Sequence, residues 1–205
     1  MKRSALWIAL TLAAVATLVY FSISSGPSPE AYAKEIEEDR EQKIDFLKTD
    51  KESRLYDKRD AFVPPTYFPP DLKFRISARL EPIQQKLVRQ LITSTFEYQR
   101  YLDYAWAVFE LDGKEQRLLI LEVMEMGPNR GKLFLAFADE TSARETYGGG
   151  RYLDLKKVRA ATTIELDFNK AYNPYCAYNH NFSCPLPPQE NLLKVAIRAG
   201  EKKYE

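Results

Sequence analysis

The stretch NPYCAYNHNFSCPLPP, residues 173–188, holds both cysteines and the only histidine of the chain. Cys176, His180 and Cys184 are spaced C-x3-H-x3-C, which supplies three soft ligands where a structural zinc site takes four. Asp167 or Glu190 could complete a set, but no spacing rule requires either, and no metal is assigned. A disulfide between Cys176 and Cys184 would close a small loop. Two reduced, buried thiols packing as small hydrophobes would suit the same positions. A Cys-His nucleophilic pair is a further alternative, although no third residue is visible to orient His180.

Two neighbouring stretches add binding chemistry. In YGGGRYLDL, residues 147–155, the glycines lack the Gly-x-x-x-x-Gly-Lys-[Ser/Thr] spacing of a phosphate loop, so they mark a sharp turn or a close backbone approach. Arg144 and Arg151 flank that turn and could face a carboxylate or phosphate. DFNKAYNPYCAYN gathers Asp167, Asn173, Tyr175 and Tyr178 in a run suited to consecutive turns, because Asn and Asp side chains bond nearby backbone groups. If the two stretches meet, Tyr147 and Tyr178 would wall a pocket floored by Arg144, Arg151, Asp167 and Asn173, fit for a small anionic or polar ligand. Asp139 and Glu140 read as a turn cap, not an acid pair. Ser142 lies in no Gly-x-Ser-x-Gly elbow. No cofactor is implied.

The elements that must position these residues are mostly strands. From Lys73 to Leu80 the hydropathy alternates, with Phe74, Ile76, Ala78 and Leu80 on one face. Residues 87–95, 98–109, 117–123, 133–138, 162–168 and 192–197 read as further strands, with one more near Tyr152. Asp112-Gly113 makes a hairpin turn between the third and fourth. About eight strands joined by tight turns predict a mainly β fold, an antiparallel sandwich or partly closed barrel. FVPPTYFPP, residues 62–70, is an extended, proline-punctuated crossing. EAYAKEIEEDREQKIDFLKTD predicts a helix from Pro29 or Glu30 to Lys48, with an apolar face too weak for a coiled coil.

Before the helix, Lys2 and Arg3 precede about twenty mostly apolar positions from Ala5 to Ile23, enough to span a bilayer. This predicts a membrane anchor over residues 1–23, a linker over 24–33 and one domain over 34–202, with the bilayer as partner and the domain outside the cytoplasm. The alternative is a cleaved signal segment and a secreted or periplasmic chain. Thirty basic residues against 29 acidic give a net charge of +1, which offers nucleic acid no electrostatic attraction. Thirteen tyrosines and eleven phenylalanines favour strands and aromatic-lined surfaces.

FADETSARETYGGGRYLDL (137–155), the run from Asp167 to Lys202, and FVPPTYFPPDLKFRISARLEP (62–82) together resemble domain of unknown function 1684, a bacterial and archaeal family. The resemblance covers roughly residues 34–202. Members often carry a Ser-Gly pair where this chain has Ser142-Ala143, and a Gly-Leu pair at Pro64-Pro65, which implies local turn changes. The family's activity is unassigned, so it implies no catalytic residues. Three readings therefore stand side by side: an anchored or exported ligand-binding domain, a hydrolase using Cys176 or His180, and a structural or interaction module of the cell envelope. The third predicts buried tyrosines, internally paired arginines and no substantial pocket.

Overall fold

The computed structural model describes residues 27–204. Its first element, α1, is the helix Pro29–Thr49. Ser28 caps it, its Oγ accepting from the Ala31 N–H at 3.2 Å, and Pro29 stands in the first turn, where a missing N–H costs nothing. Only Tyr32, Ile36, Arg40 and Leu47 are buried, a narrow stripe on an otherwise charged helix.

Seven strands follow: β1 Arg75–Pro82, β2 Val88–Ile92, β3 Tyr98–Leu111, β4 Lys114–Val123, β5 Leu133–Phe137, β6 Arg151–Leu155 and β7 Thr163–Asp167. They form one antiparallel sheet in the order β6-β5-β4-β3-β1-β7. β3 is its spine. One edge of β3 pairs with β4 along nearly its whole length, through a turn in which Asp112 and Gly113 both take positive φ. The other edge is shared end to end, β1 pairing near Val108 and β2 near Tyr98 to Leu102. A bulge between Asp103 and Ala105 shifts the register and bends the sheet there.

The sheet carries apolar layers on both faces, which is why β4 reads as a continuous Leu118–Leu121 run. Leu118 and Ile120 join Phe109, Leu135, Phe137, Leu166, Phe168 and Ile197 in the main core. Leu119 and Leu121 point the opposite way, into a smaller cluster with Leu91 and Tyr101. Burying such side chains contributes about 1.5–3 kcal/mol each.

The fold is mainly β, one curled, half-barrel sheet with no second sheet among the described residues, so the expected sandwich is corrected. Residues 192–197 form no regular strand. Their backbone instead touches the 138–140 segment at isolated points, Leu193 N to Ala138 O at 2.8 Å and Glu140 N to Val195 O at 3.2 Å. The open side of the curl is bridged by irregular chain, with Tyr152 and Tyr172 exchanging both backbone hydrogen bonds at 2.9 and 3.1 Å.

The membrane expectation is corrected as well. Residues 1–23 lie outside the described residues, and among those described no helix is long and apolar enough to cross a membrane. The bilayer partner and the placement outside the cytoplasm rested on that segment alone, and neither is carried further.

Candidate functional site

The loop 139–150 and the loop 168–191 do meet, and the contact is packing rather than a cavity. Gly150 has φ +83°, and a Cβ there would stand 2.5 Å from Pro187 Cγ and 2.6 Å from Phe137 O. Only glycine lets the turn and the proline run approach so closely. Tyr152 donates to Pro185 O at 2.6 Å, and Tyr147 Oη lies 3.6 Å from Cys176 Sγ.

Of the residues expected to floor a pocket, Arg151 and Asn173 turn instead toward the final segment of the chain. Arg151 is 1% exposed. Its guanidinium donates to the carbonyls of Ala199, Glu201 (3.2 Å) and Ile197 (2.8 Å) and to Asp139 Oδ2 at 2.9 Å. Burial lowers its pKa while the Asp139 carboxylate opposes the shift. Asn173 donates its backbone N–H to Glu201 Oε2 at 2.7 Å and its side-chain amide to Lys202 O at 2.8 Å. Tyr178 Oη also donates to Glu201 Oε2 at 2.7 Å. Asp167 serves α1, accepting from Tyr32 Oη at 2.7 Å and from the Asn169 backbone N–H at 3.1 Å. The ligand pocket between the two loops is therefore corrected: three of its four expected floor residues, Arg151, Asp167 and Asn173, are spent on holding residues 197–202 and α1 in place.

Three buried groups organise this region, of which only Asp139 was singled out from sequence, and only as a turn cap. Glu201 is fully buried and is met by Tyr178, by Asn173 and by Lys43 Nζ from α1 at 2.9 Å. Asp139 bonds the Thr141 N–H and hydroxyl at 2.8 and 2.6 Å while pairing with Arg151. Asn191 stands between β4 and β5, accepting from Leu119 N at 2.7 Å and donating to Leu119 O and Ala136 O at 2.9 and 2.8 Å. Each satisfies backbone that no strand pairing reaches, a role that leaves no spacing signature in the sequence.

Cys176 lies in the short helix α2, Tyr175–Tyr178, and Cys184 lies after it; both are buried and carry free thiols. The backbone N–H of Cys176 points at Cys184 Sγ at 3.3 Å. His180 is exposed, and no hydrogen bond joins it to either thiol. Among the described residues no group of three or more His, Cys, Asp or Glu is placed to hold a metal ion. The Cys-His hydrolase reading thus finds no assembled centre.

Arg144 alone among the expected binding residues is exposed to solvent. It stands on the turn 141–146, where Ala143 takes φ 65° and its N–H bonds Thr146 O at 3.1 Å. This is the position where the resembled family often has glycine, and an alanine held there costs about 1 kcal/mol. The turn presents Arg144 to an open cleft of about 510 Å³ between the proline-punctuated segment and the chain's last residues. Val63, Pro64, Phe68 and Tyr204 supply its apolar wall, and Arg144, Lys202 and Lys203 its cations. Glu145, the one acid lining it, is held bidentately by Arg198 at 2.9–3.1 Å. A second, flatter hollow of about 750 Å³ lies beside β2, but there Arg89 is already bonded to Asp103 and to Glu190.

Among curated proteins nothing matches the chain. A solved structure does: the solution NMR structure of an uncharacterized protein from Haloarcula marismortui is 35% identical, with a TM-score of 0.64, over 84% of this chain and 95% of that one. The family model for Protein of unknown function (DUF1684) matches residues 60–202. With the whole sheet, both loops and most of the cleft lining inside that match, the chain belongs to the DUF1684 family.

Proposed function

We propose that this domain is a protein-interaction module that docks an acidic, extended segment of a partner protein in the cleft beside Arg144. The observation that carries the reading is the unbalanced charge of that cleft. Three cations, Arg144, Lys202 and Lys203, meet one carboxylate, and that carboxylate is already taken by Arg198. Arg151, by contrast, is paired within the fold with Asp139. The cleft is open and walled by extended chain, so it suits a peptide laid along it better than a small molecule enclosed by it. Carboxylates on the peptide would orient it and raise its rate of association, while Pro64, Phe68 and Tyr204 supply apolar area.

Fluorescence anisotropy with a labelled Glu/Asp-rich peptide containing one aromatic residue tests this. Binding is expected in the range of roughly micromolar to hundreds of micromolar, weakening as salt rises. The double change Arg144→Glu and Lys203→Glu should weaken it at least about tenfold, since both side chains are exposed and the charge of the cleft reverses. A peptide with lysine in place of the acids should not bind. Equal affinity for both peptides, or no change in the double variant, would remove the proposal.

A further inference from the structure

The two thiols are brought together from separate supports. Cys176 belongs to α2, where the Asn179 N–H closes the single turn on Tyr175 O at 3.0 Å. Cys184 is fastened to the turn between β2 and β3: its carbonyl accepts from Ser94 N at 2.8 Å, and its own N–H donates to Ser94 Oγ at 3.1 Å. Ser94 Oγ in turn donates to Phe182 O at 2.9 Å, which fixes the chain just ahead of Cys184. Across this junction the Cys176 N–H reaches Cys184 Sγ at 3.3 Å, and Tyr147 Oη stands 3.6 Å from Cys176 Sγ. The chain has no third cysteine to compete as a partner. Both thiols are buried, but the neighbours of Cys176 in the chain, Tyr175, Ala177, Tyr178 and Asn179, are only half-buried.

We propose that Cys176 and Cys184 form a reversible two-electron redox site, oxidised to an intramolecular disulfide by a small-molecule disulfide and reduced again by the corresponding thiol. The Cys176 thiolate attacks one sulfur of the small disulfide, whose S–S bond breaks and releases one small thiol. Cys184 then gives up its proton to solvent and attacks the Cys176 sulfur of the mixed disulfide, expelling the second small thiol. Two protein thiols are oxidised and one disulfide is reduced to two thiols, so atoms and electrons balance.

The order of the steps follows from the surroundings of the two sulfurs. Pairing with Cys184, and then Tyr147 Oη at 3.6 Å, pull the Cys176 pKa below the ordinary thiol value against the opposing effect of burial. Pairing with Cys176 and burial push the Cys184 thiol up, so it acts second. Tyr147 acts through Cys176 as a positioning residue. None of this depends on the cleft beside Arg144, whose lining residues do not include either cysteine.

The test equilibrates the full chain in buffers of increasing oxidised-to-reduced glutathione ratio, quenches with acid, alkylates and measures intact mass. The expected result is that both thiols disappear together from a monomer lighter by two hydrogens, and that both return on reduction. In Cys184→Ala, glutathione should be trapped on Cys176; in Cys176→Ala, trapping on Cys184 should be at least about tenfold slower. Tyr147→Phe keeps both thiols and should slow mixed-disulfide formation several-fold near neutral pH, with its pH profile displaced upward. Thiols that stay alkylatable at the highest ratio, or crosslinks only between chains, would overturn the proposal. Equal trapping in the two alanine variants would overturn the assigned order. Should an alanine variant fail to fold, the wild-type equilibrium and the Tyr147→Phe profile decide the matter.

Discussion

The terminal strap over residues 197–203 and the hairpin of β2 and β3 handle polar and apolar groups in opposite ways. At the strap, charge is inside: Arg151, Asp139 and Glu201 are buried and bonded to backbone or to one another. At the hairpin, apolar surface is outside, with Phe96 83% and Tyr98 64% exposed and Leu87, Val88 and Ile92 also at the surface. The strap belongs to no regular strand and meets Tyr67 only at an isolated bridge, so the carbonyls of Ile197, Ala199 and Glu201 are satisfied by a side chain, and an arginine with several donors on a planar head can serve all three. The hairpin has its ladder and needs no such help. A buried charge here compensates for absent β pairing, whereas regular pairing leaves side chains free to face water.

The sharpest way to break this comparison is to remove the arginine. Arg151→Leu leaves Asp139 charged and buried with its ionic partner gone, and leaves the carbonyls of Ile197 and Ala199 without their side-chain donor. Loss of about 3–5 kcal/mol is expected from urea denaturation, the usual cost of an uncompensated buried charge. The same change at Arg144, exposed at the cleft, should move stability by less than about 0.5 kcal/mol. Comparable losses at the two positions would show that burial does not separate them.

Alkaline titration probes the same region with a smaller effect per group. Tyr152, Tyr172 and Tyr178 have their pKa values raised, first by burial and then by neighbouring acidic groups, such as Asp154 for Tyr172 and Glu201 for Tyr178. In the unfolded chain each ionises near the ordinary value of about 10, so above that pH the unfolded state has lost protons that the folded state keeps. Stability is full below the unfolded pKa and falls as pH rises past it, by about 1.4 kcal/mol per pH unit for each tyrosine held neutral. Tyrosinate absorbance should show these residues silent until the chain unfolds and then appearing together with the loss of circular dichroism. Independent ionisation of all three in the folded chain would mean that the strap is wet.

How much of this was legible in the sequence follows the same division. β1, β3 and β4 are legible because alternation or a long apolar run maps directly onto a paired strand, and Asp112-Gly113 announces its own turn. Residues 192–197 mislead because Leu192, Leu193, Val195 and Ile197 look like a strand by composition. Their backbone is in fact held by Ala138, Glu140 and Arg151. At the site, the clustering of Arg151, Asn173 and Tyr178 is visible in the chain, but their common object is not. Glu201 lies more than twenty residues further on and has no motif around it. Sequence shows which groups are concentrated, and it does not show whether they turn toward a ligand or toward a piece of unpaired backbone. The cleft is harder still, because Val63, Arg144 and Tyr204 meet only after the whole sheet has curled.

The smallest expected effect tests the hairpin side. Phe96 sits in the turn closed by Thr93 N to Glu97 O at 2.8 Å, and its own N–H reaches Thr93 O at 3.0 Å. Its φ is 62°, a left-handed conformation that crowds the Cβ of any L residue and suits asparagine or glycine better. Since the ring is mostly exposed, it returns little packing energy to the fold. Phe96→Asn should therefore stabilise the domain by about 1 kcal/mol, seen as a higher midpoint in urea at an unchanged slope. A destabilised variant would mean that the Phe96 ring is held by contacts of its own. The hairpin would then be a packed element like the strap, and its apolar surface would no longer be the free counterpart of the strap's buried charge.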